Sequence, residues 1–295
     1  MSHESSAMTN SDSPIGIVGI GLLGTAIAER LLKAGYRVIG YDLRPEQIAG
    51  LEGLGGERAF SAASVADCCE RLILSLPTSV IAAAVLDETV PSLLFGSIVI
   101  DTTTGAPEDA VKFADRLQHA SVHYVDATVG GSSRQLLAQE AILICGGCHD
   151  AFERCSDIFA ACCRKAYHVG PAGSGAAMKL VLNLVLGLNR AVLAEGLEFA
   201  RTCNIDPYLA LEILQAGPAY SKAMDVKGQR MLNEDFEPEA RLSQHLKDVR
   251  LILAGKNAGA TLPLSTLHRE LLEAVEAAGL GAADNCAIIK AFQKR

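Results

Sequence analysis

Pro14-Ile15-Gly16-Ile17-Val18-Gly19-Ile20-Gly21-Leu22-Leu23-Gly24 is the stretch that decides the fold. Pro14 to Ile20 reads as a short buried strand. Thr25 to Ala34 follows with helical patterning and stops at Gly35, a residue suited to a helix C-terminus. Arg37 to Tyr41 reads as a second strand and ends in Asp42. The order is strand, G-x-G-x-x-G, helix, strand, acid. Gly19 permits the tight turn, Gly21 lets backbone approach a pyrophosphate, and Gly24 lets helix pack on strand. Leu22 and Leu23 fill the variable positions of the same turn. The helix N-terminus offers amides and partial positive charge to phosphates, and Asp42 is placed to bind both hydroxyls of an adenosine ribose. The alternative is a glycine-rich turn in an unrelated α/β protein.

The acid also bears on cofactor choice. A carboxylate at Asp42 repels a 2′-phosphate and favours NAD over NADP. Arg44 could turn to meet that phosphate, or be an ordinary solvated arginine. Apolar runs and helical patterns keep alternating beyond it. Strands are expected at Leu72–Leu76, Ser97–Ile100, Val122–Asp126, Ala141–Cys145 and Ala166–Val169, with helices from Ser79, from Pro107 and over Ala151–Cys162. In an open parallel sheet, ligands gather at the carboxyl ends of strands. Polar clusters fall at three such ends: Pro77-Thr78, Asp101 to Thr104, and Asp126 to Ser133.

The architecture changes at Gly170-Pro171-Ala172-Gly173-Ser174-Gly175-Ala176-Ala177-Met178-Lys179-Leu180-Val181-Leu182-Asn183. Residues 172–203 can form one long helix. On it Lys179 and Asn183 share a face, with Gly175 a turn earlier leaving space for something to bind. A surface lysine on an amphipathic helix is the plainer reading. Further helical patterns span about 207–216, 220–233, 240–257 and 263–278, with no strand pattern. Interior Gly187 and Gly196 each cost roughly 1 kcal/mol against alanine, so close packing must compensate. Lys247, next to Asp248, could reach back toward the junction or be half of an exposed ion pair. His245 reads as an ordinary helix side chain. The expected architecture is α/β: a polar tail over 1–13, a Rossmann-type doubly wound sheet over 14–171, and an all-α domain over 172–295, joined by the long interdomain helix.

Composition excludes several classes. The 295 residues carry 26 basic and 34 acidic side chains, a poor match to a phosphate backbone, so nucleic acid is not an expected partner. No uninterrupted apolar run reaches the roughly 18 residues of a membrane span. The polar first residues lack the apolar core of a secretory signal. Nine cysteines, including the adjacent pairs Cys68-Cys69 and Cys162-Cys163, suit reduced thiols in a cytoplasmic protein better than disulfides. Cys145 and Cys148 with His149 lack a second ligand pair, so no metal is expected.

Four segments in order resemble the β-hydroxyacid dehydrogenase family, which includes 3-hydroxyisobutyrate dehydrogenase and tartronate semialdehyde reductase. They are Gly19 to Gly24; Asp101-Thr102-Thr103-Thr104 with Pro107; Asp126-Ala127-Thr128-Val129-Gly130-Gly131; and Gly173-Ser174-Gly175 with Lys179 and Asn183. Lys247-Asp248 matches a fifth. The resemblance covers about residues 14–292. It implies that Lys179 is the catalytic acid/base and that Asn183 orients the substrate. It implies that Thr104 and Lys247 lie near the nicotinamide, that Leu76 and Pro77 line the cofactor, and that Thr128, Gly130, Gly131 and Ser132 hold the substrate carboxylate. A homodimer or homotetramer is also implied. The chain departs from the family's Asp-Ala-Pro-Val-Ser-Gly-Gly at Thr128, Gly130 and Ser132, and carries Gln135 and Gln139 where relatives have glycines. Amides at Gly131 and Ser132 can still grip an anion, and Ser132 or Ser133 could supply the missing hydroxyl.

The expected reaction is hydride transfer between a nicotinamide cofactor and a small β-hydroxy acid or its semialdehyde. An ordinary lysine, with a pKa of about 10.4, is a poor base at neutral pH, so the chemistry calls for one made less basic by desolvation and a nearby cation. A non-catalytic NAD(P)-binding sensor or scaffold would keep the nucleotide fingerprint and need neither Lys179 nor Asn183. An imine or 6-phosphogluconate-type oxidoreductase is the third reading; the latter would need basic residues for a sugar phosphate, and the pocket motifs offer few.

Overall fold

A computed structural model describes residues 13–255 and 261–293. The polar tail expected over 1–13 lies, except for Ser13, outside the described residues. The chain divides into two compact units, Met1–Lys179 and Leu180–Arg295.

The first unit is an eight-stranded sheet in the order β3-β2-β1-β4-β5-β6-β7-β8. In chain order its elements are β1 (Ile15–Val18), α1 (Leu22–Lys33), β2 (Val38–Tyr41), α2 (Pro45–Gly53), β3 (Glu57–Arg58), α3 (Ala62–Cys68), β4 (Arg71–Leu74), α4 (Ser79–Thr89), β5 (Ile98–Asp101), α5 (Pro107–His119), β6 (His123–Gly130), α6 (Ser133–Leu137), β7 (Ile142–Gly147), α7 (His149–Glu153), α8 (Ser156–Cys162) and β8 (Lys165–Gly170). Strands β1 to β6 run parallel, as the crossover helices require. The sheet is not parallel throughout, because β7 pairs antiparallel with β6 from Val125↔Gly147 to Gly130↔Ile142. That pairing extends β6 to Gly130, so Asp126 lies inside a strand rather than in a polar strand-end cluster. The helix expected over Ala151–Cys162 is broken at Arg154 and Cys155 into α7 and α8.

Side chains alternate across the strands and fill a core on each face. Ile15 and Ile17 of β1 meet Ile27 and Leu31 of α1 and Phe159 of α8. Val18, Leu72 and Leu74 meet Val65 of α3, Leu86 of α4 and Leu117 of α5. Burial at this level contributes about 1.5–3 kcal/mol per large aliphatic side chain. Four cysteines, Cys145, Cys155, Cys162 and Cys163, lie in the first of these cores. All nine cysteines are free thiols, and Cys68, Cys148 and Cys203 are the exposed ones. Burial pushes the thiols of Cys69, Cys155, Cys162 and Cys286 up to about 12.

The second unit is helical. It holds most of α9 (Ser174–Thr202), α10 (Pro207–Ala216), a π-helical turn (Met224–Gly228) running into α11 (Gln229–Leu232), α12 (Leu242–Ala254), α13 (Pro263–Val275), a second π turn (Glu276–Leu280) and a 3-10 segment (Asn285–Ala291). The π turns shorten two helices expected to be continuous. Leu193, Ala194 and Leu197 of α9 pack with Leu211, Met231, Leu246, Leu272 and Ile288 around one core. By length and composition alone α9 is apolar enough to cross a membrane. Counting uninterrupted apolar runs hides this, because Asn183 and Arg190 break the run without breaking the helix.

Gly187 explains how α9 tolerates an interior glycine. A methyl group there would come within 2.3 Å of His245 Nε2 and 2.6 Å of His268 Cε1. His245 and His268 pack with their rings tilted by 50° and their centroids 5.2 Å apart, and both are buried. His245, read as an ordinary helix side chain, is a buried one. Burial, with the Arg190 guanidinium adding to it, holds His268 down at about 4. The neutral ring is the folded form, so the unfolded chain binds the extra proton as pH falls below about 6.5. Stability is therefore complete above pH 6.5 and declines by up to about 3 kcal/mol as pH drops to 4. Urea unfolding followed from pH 7 to 4 should show that decline, and His268→Gln should remove most of it.

Candidate active site

The strand order sets the carboxyl ends of β2, β1, β4 and β5 side by side. Gly19 leaves β1 with φ +92°, and a side chain there would strike Ser75 O at 2.3 Å. A methyl at Gly24 would sit 2.0 Å from Gly19 O, so α1 can lie on the turn only because that side chain is missing. At Gly21 the nearest atom to an added methyl is Arg44 Nη2, 3.9 Å away. Space is therefore left over the N-terminus of α1, which has no side-chain cap and no acid in its first turn. Such a helix end suits a pyrophosphate.

Asp42 ends β2 in a fixed pose. Its Oδ2 accepts from Ile20 N at 2.7 Å, and its Oδ1 accepts from Arg44 N at 2.9 Å and Arg44 Nε at 3.2 Å. Burial works to raise this carboxyl, but the Arg44 guanidinium and the two amides outweigh it and hold it below the usual range. Arg44 is clasped to Asp42. Leu76 and Pro77 follow β4, and Leu76 N donates to Thr103 Oγ1 at 3.3 Å. Thr103 N and Tyr124 Oη donate to opposite oxygens of Asp101, which fixes the 101–104 turn carrying Thr104. Asp101 is raised to about 6 by burial, against the pull of these bonds. Gly19, Gly21, Gly24, Asp42, Leu76, Pro77 and Thr104 thus come from four neighbouring strand ends and could line one dinucleotide site.

The substrate segment differs from its expected form. Thr128 is fully buried in β6, with Oγ1 within 3.2 Å of Ile144 O and 3.3 Å of Gly175 O. Its hydroxyl is used inside the protein, so it is no part of a solvent-facing carboxylate loop. Ser132 caps α6, and its Oγ accepts from Gln135 N at 3.2 Å. Its own amide donates to Gln135 Oε1 at 2.9 Å. That amide, expected to grip an anion, is already committed to Gln135. The S-x-x-Q spacing of Ser132 to Gln135 is the sequence signal for this capping box.

The start of α9 is fastened to β6. Asp126 Oδ1 accepts from Gly173 N at 2.9 Å, and Oδ2 accepts from Ala176 N at 2.7 Å. Gly175 lies so close to Asp126 that an added methyl would be 2.6 Å from Oδ2; the space at this glycine is filled by the carboxylate and is not open to a ligand. One turn on, Lys179 Nζ donates to Val129 O at 2.6 Å. The first turns of α9 therefore pack with the sheet unit, and the two compact units divide after Lys179.

In the helical unit Asn183 is buried, and its Nδ2 donates to Asp248 Oδ2 at 2.9 Å. Lys247 Nζ is 3.4 Å from Asp248 Oδ1. Sequence reading passed over Asp126 and Asp248 as site residues, although both stand in the quoted motifs. Among the described residues no group of three or more His, Cys, Asp or Glu could hold a metal ion.

Two family models account for nearly all of the described chain. The NAD-binding domain of 6-phosphogluconate dehydrogenase matches residues 14–170, and the NAD-binding of NADP-dependent 3-hydroxyisobutyrate dehydrogenase matches 173–292. The chain is 30% identical to 2-(hydroxymethyl)glutarate dehydrogenase of Eubacterium barkeri, over 95% of each sequence. It is 26% identical to L-threonate dehydrogenase of Cupriavidus necator, over 94% of this chain and 95% of the relative. A crystal structure of 3-hydroxyisobutyrate dehydrogenase from Salmonella typhimurium superposes with a TM-score of 0.86 at 25% identity, covering 95% of this chain and 99% of that one. With the nucleotide turn, the β6 segment and the Lys179 helix in the family's order, the chain belongs to the β-hydroxyacid dehydrogenase family of NAD(P)-dependent oxidoreductases acting on CH–OH groups.

Proposed function

We propose that this enzyme interconverts a small β-hydroxy acid and its semialdehyde, with Lys179 as the proton-transfer group. The observation that carries the reading is Lys179 Nζ at 2.6 Å from Val129 O, next to the Gly130 to Ser132 turn. Two relatives named for 2-(hydroxymethyl)glutarate and L-threonate act on molecules with a carboxylate and a CH–OH group, which supports the substrate class. When bound, a nicotinamide cofactor takes or gives the hydride. Lys179 Nζ takes the hydroxyl proton in oxidation and returns it in reduction. Gly130 and Gly131 supply backbone to the substrate carboxylate, since the Ser132 amide is held by Gln135. Within the sheet unit Thr104 serves the nicotinamide end.

NAD is the favoured cofactor, because the Asp42 carboxylate opposes a 2′-phosphate and Arg44 is engaged with it. The partner is a second copy of this chain. Met178, Val185, Val192 and Phe199 are exposed at seven-residue spacing on α9, with Val181 beside them. A heptad stripe of this kind pairs with a like helix. A cytoplasmic location fits nine free thiols, which suit a reducing compartment.

Lys179→Ala should lower turnover by roughly 10²–10⁴ while leaving the NADH dissociation constant within about twofold, checked by steady-state kinetics and fluorescence titration. The panel is 3-hydroxyisobutyrate, glycerate, L-threonate and 2-(hydroxymethyl)glutarate with NAD⁺ and NADP⁺. Near-normal turnover in the variant sinks the mechanism. Asp42→Ser should raise the NADP⁺/NAD⁺ ratio of kcat/KM by about tenfold or more. A Val192→Asp, Phe199→Asp double variant should sediment at half the mass of the parent.

A further inference from the structure

We infer that Asp101 is a positioning residue for the cofactor seat: as a carboxylate it holds the ends of β4 and β5 in place through Thr103, and a proton on it weakens the grip on NAD⁺. The inference rests on the assignment of Leu76, Pro77 and Thr104 to the cofactor. The last rung between the two strands is made by Thr102, whose N and Oγ1 each donate to Leu74 O at 2.8 Å. One step further out, Leu76 N donates to Thr103 Oγ1 at 3.3 Å. A hydroxyl oxygen that accepts there keeps its own hydrogen to donate. That hydrogen goes to Asp101, which also takes Thr103 N at 2.9 Å. The chain of bonds thus runs from Leu76 N through the Thr103 hydroxyl to the carboxylate. Tyr124 Oη braces the other oxygen at 3.0 Å. Asp101 is buried, so these donors rather than solvent carry its charge.

The surroundings work against that charge. Across the β5–β6 ladder the partner of Asp101 is Asp126, a second buried carboxylate, and Asp109 of α5 acts on Tyr124. On β7 burial pushes the Cys145 thiol far up, so it stays neutral. The in-register partner on β4 is Leu74, which carries no charge. Burial lifts Asp101 to about 6, with the Asp126 charge adding to the rise and Thr103 and Tyr124 opposing it. Asp101 therefore takes up its proton just below neutral pH, while Asp42, held below the usual carboxylate range, keeps its charge. Hydrogen bonds to an ion are about twice as strong as those to a neutral group. Protonation leaves Thr103 and Tyr124 beside Asp101 but weakens its hold on them, and the turn carrying Thr104 loosens together with Leu76 and Pro77. By linkage, binding of NAD⁺ drives the proton off.

The test is calorimetric titration of the full chain with NAD⁺ between pH 7 and 5. In the parent the dissociation constant should rise about fivefold to tenfold over that range. Asp101→Asn has the shape of the neutral acid at every pH. Its dissociation constant at pH 7 should already match the parent's at pH 5 and change by less than about twofold between them. Titrations in two buffers of different ionisation enthalpy count the protons. At pH 6 the parent should release about 0.4 of a proton more per NAD⁺ than Asp101→Asn does; a role in packing alone weakens binding without moving protons. A parent profile flat to within about twofold, or an Asp101→Asn profile that repeats either the parent's rise or its affinity at pH 7, overturns the inference. Should Asp101→Asn not fold, Tyr124→Phe takes its place. Losing that donor favours the neutral acid, so the midpoint of the rise should move up by about half a pH unit or more. An unmoved midpoint overturns the inference too. If the parent does not bind NAD⁺ even at pH 7, the cofactor assignment fails instead, so the two failures are distinct.

Discussion

The carboxylate of Asp126 is the joint on which the start of α9, and with it Lys179, depends. It is buried in the middle of β6 and takes two backbone amides at the start of α9, at 2.9 and 2.7 Å. Unpaired amides at a helix start cost free energy when buried, and an acid there also meets the positive end of the helix dipole. Asp126 answers both needs from a neighbouring strand rather than from the helix's own sequence. Burial raises this carboxyl, against the amides that pull it down; the helix N-terminus is what makes an anion tolerable so deep in the sheet. Three residues along the same strand, Val129 O receives Lys179 Nζ. One strand thus grips two successive turns of one helix, and the lysine inherits the rigidity of the sheet.

The nucleotide edge works by a different physics. It depends on what is absent: side chains at Gly19, Gly21 and Gly24, and a capping group at the start of α1. The backbone itself forms the cradle there, and Asp42 is held at its edge by Ile20 N and Arg44.

These two kinds of construction explain what could be read in the chain. The glycine turn was legible because its requirements are local: a strand, a turn and a helix within two dozen residues, followed by an acid. Lys179 and Asn183 were legible as a pair because helical spacing alone puts them on one face. The resemblance puts Thr128 and Ser132 in a ligand loop, and nothing local in the chain shows that β7 returns antiparallel and extends β6 to Gly130. The Gln135 cap is written in plain S-x-x-Q spacing. Asp126 and Asp248 act on partners 47 and 65 residues away. No periodicity carries such pairings; they become visible only once the sheet and the helices are assembled. The π turns at Met224 and Glu276 are invisible for a related reason, because the residues in them have ordinary helical preferences.

The distribution of thiols has a practical side. Three cysteines face solvent and six are sealed in the two units. The sealed thiols of Cys69, Cys155, Cys162 and Cys286 are also held protonated by burial, so they react slowly even when a reagent reaches them. Alkylation of the native protein therefore stops after three groups, and each further adduct marks an opening of the chain. Cys155 and Cys162 report on the sheet and Cys286 on the helical core. Mass spectrometry of the labelled protein then gives a separate opening rate for each half, without an added probe.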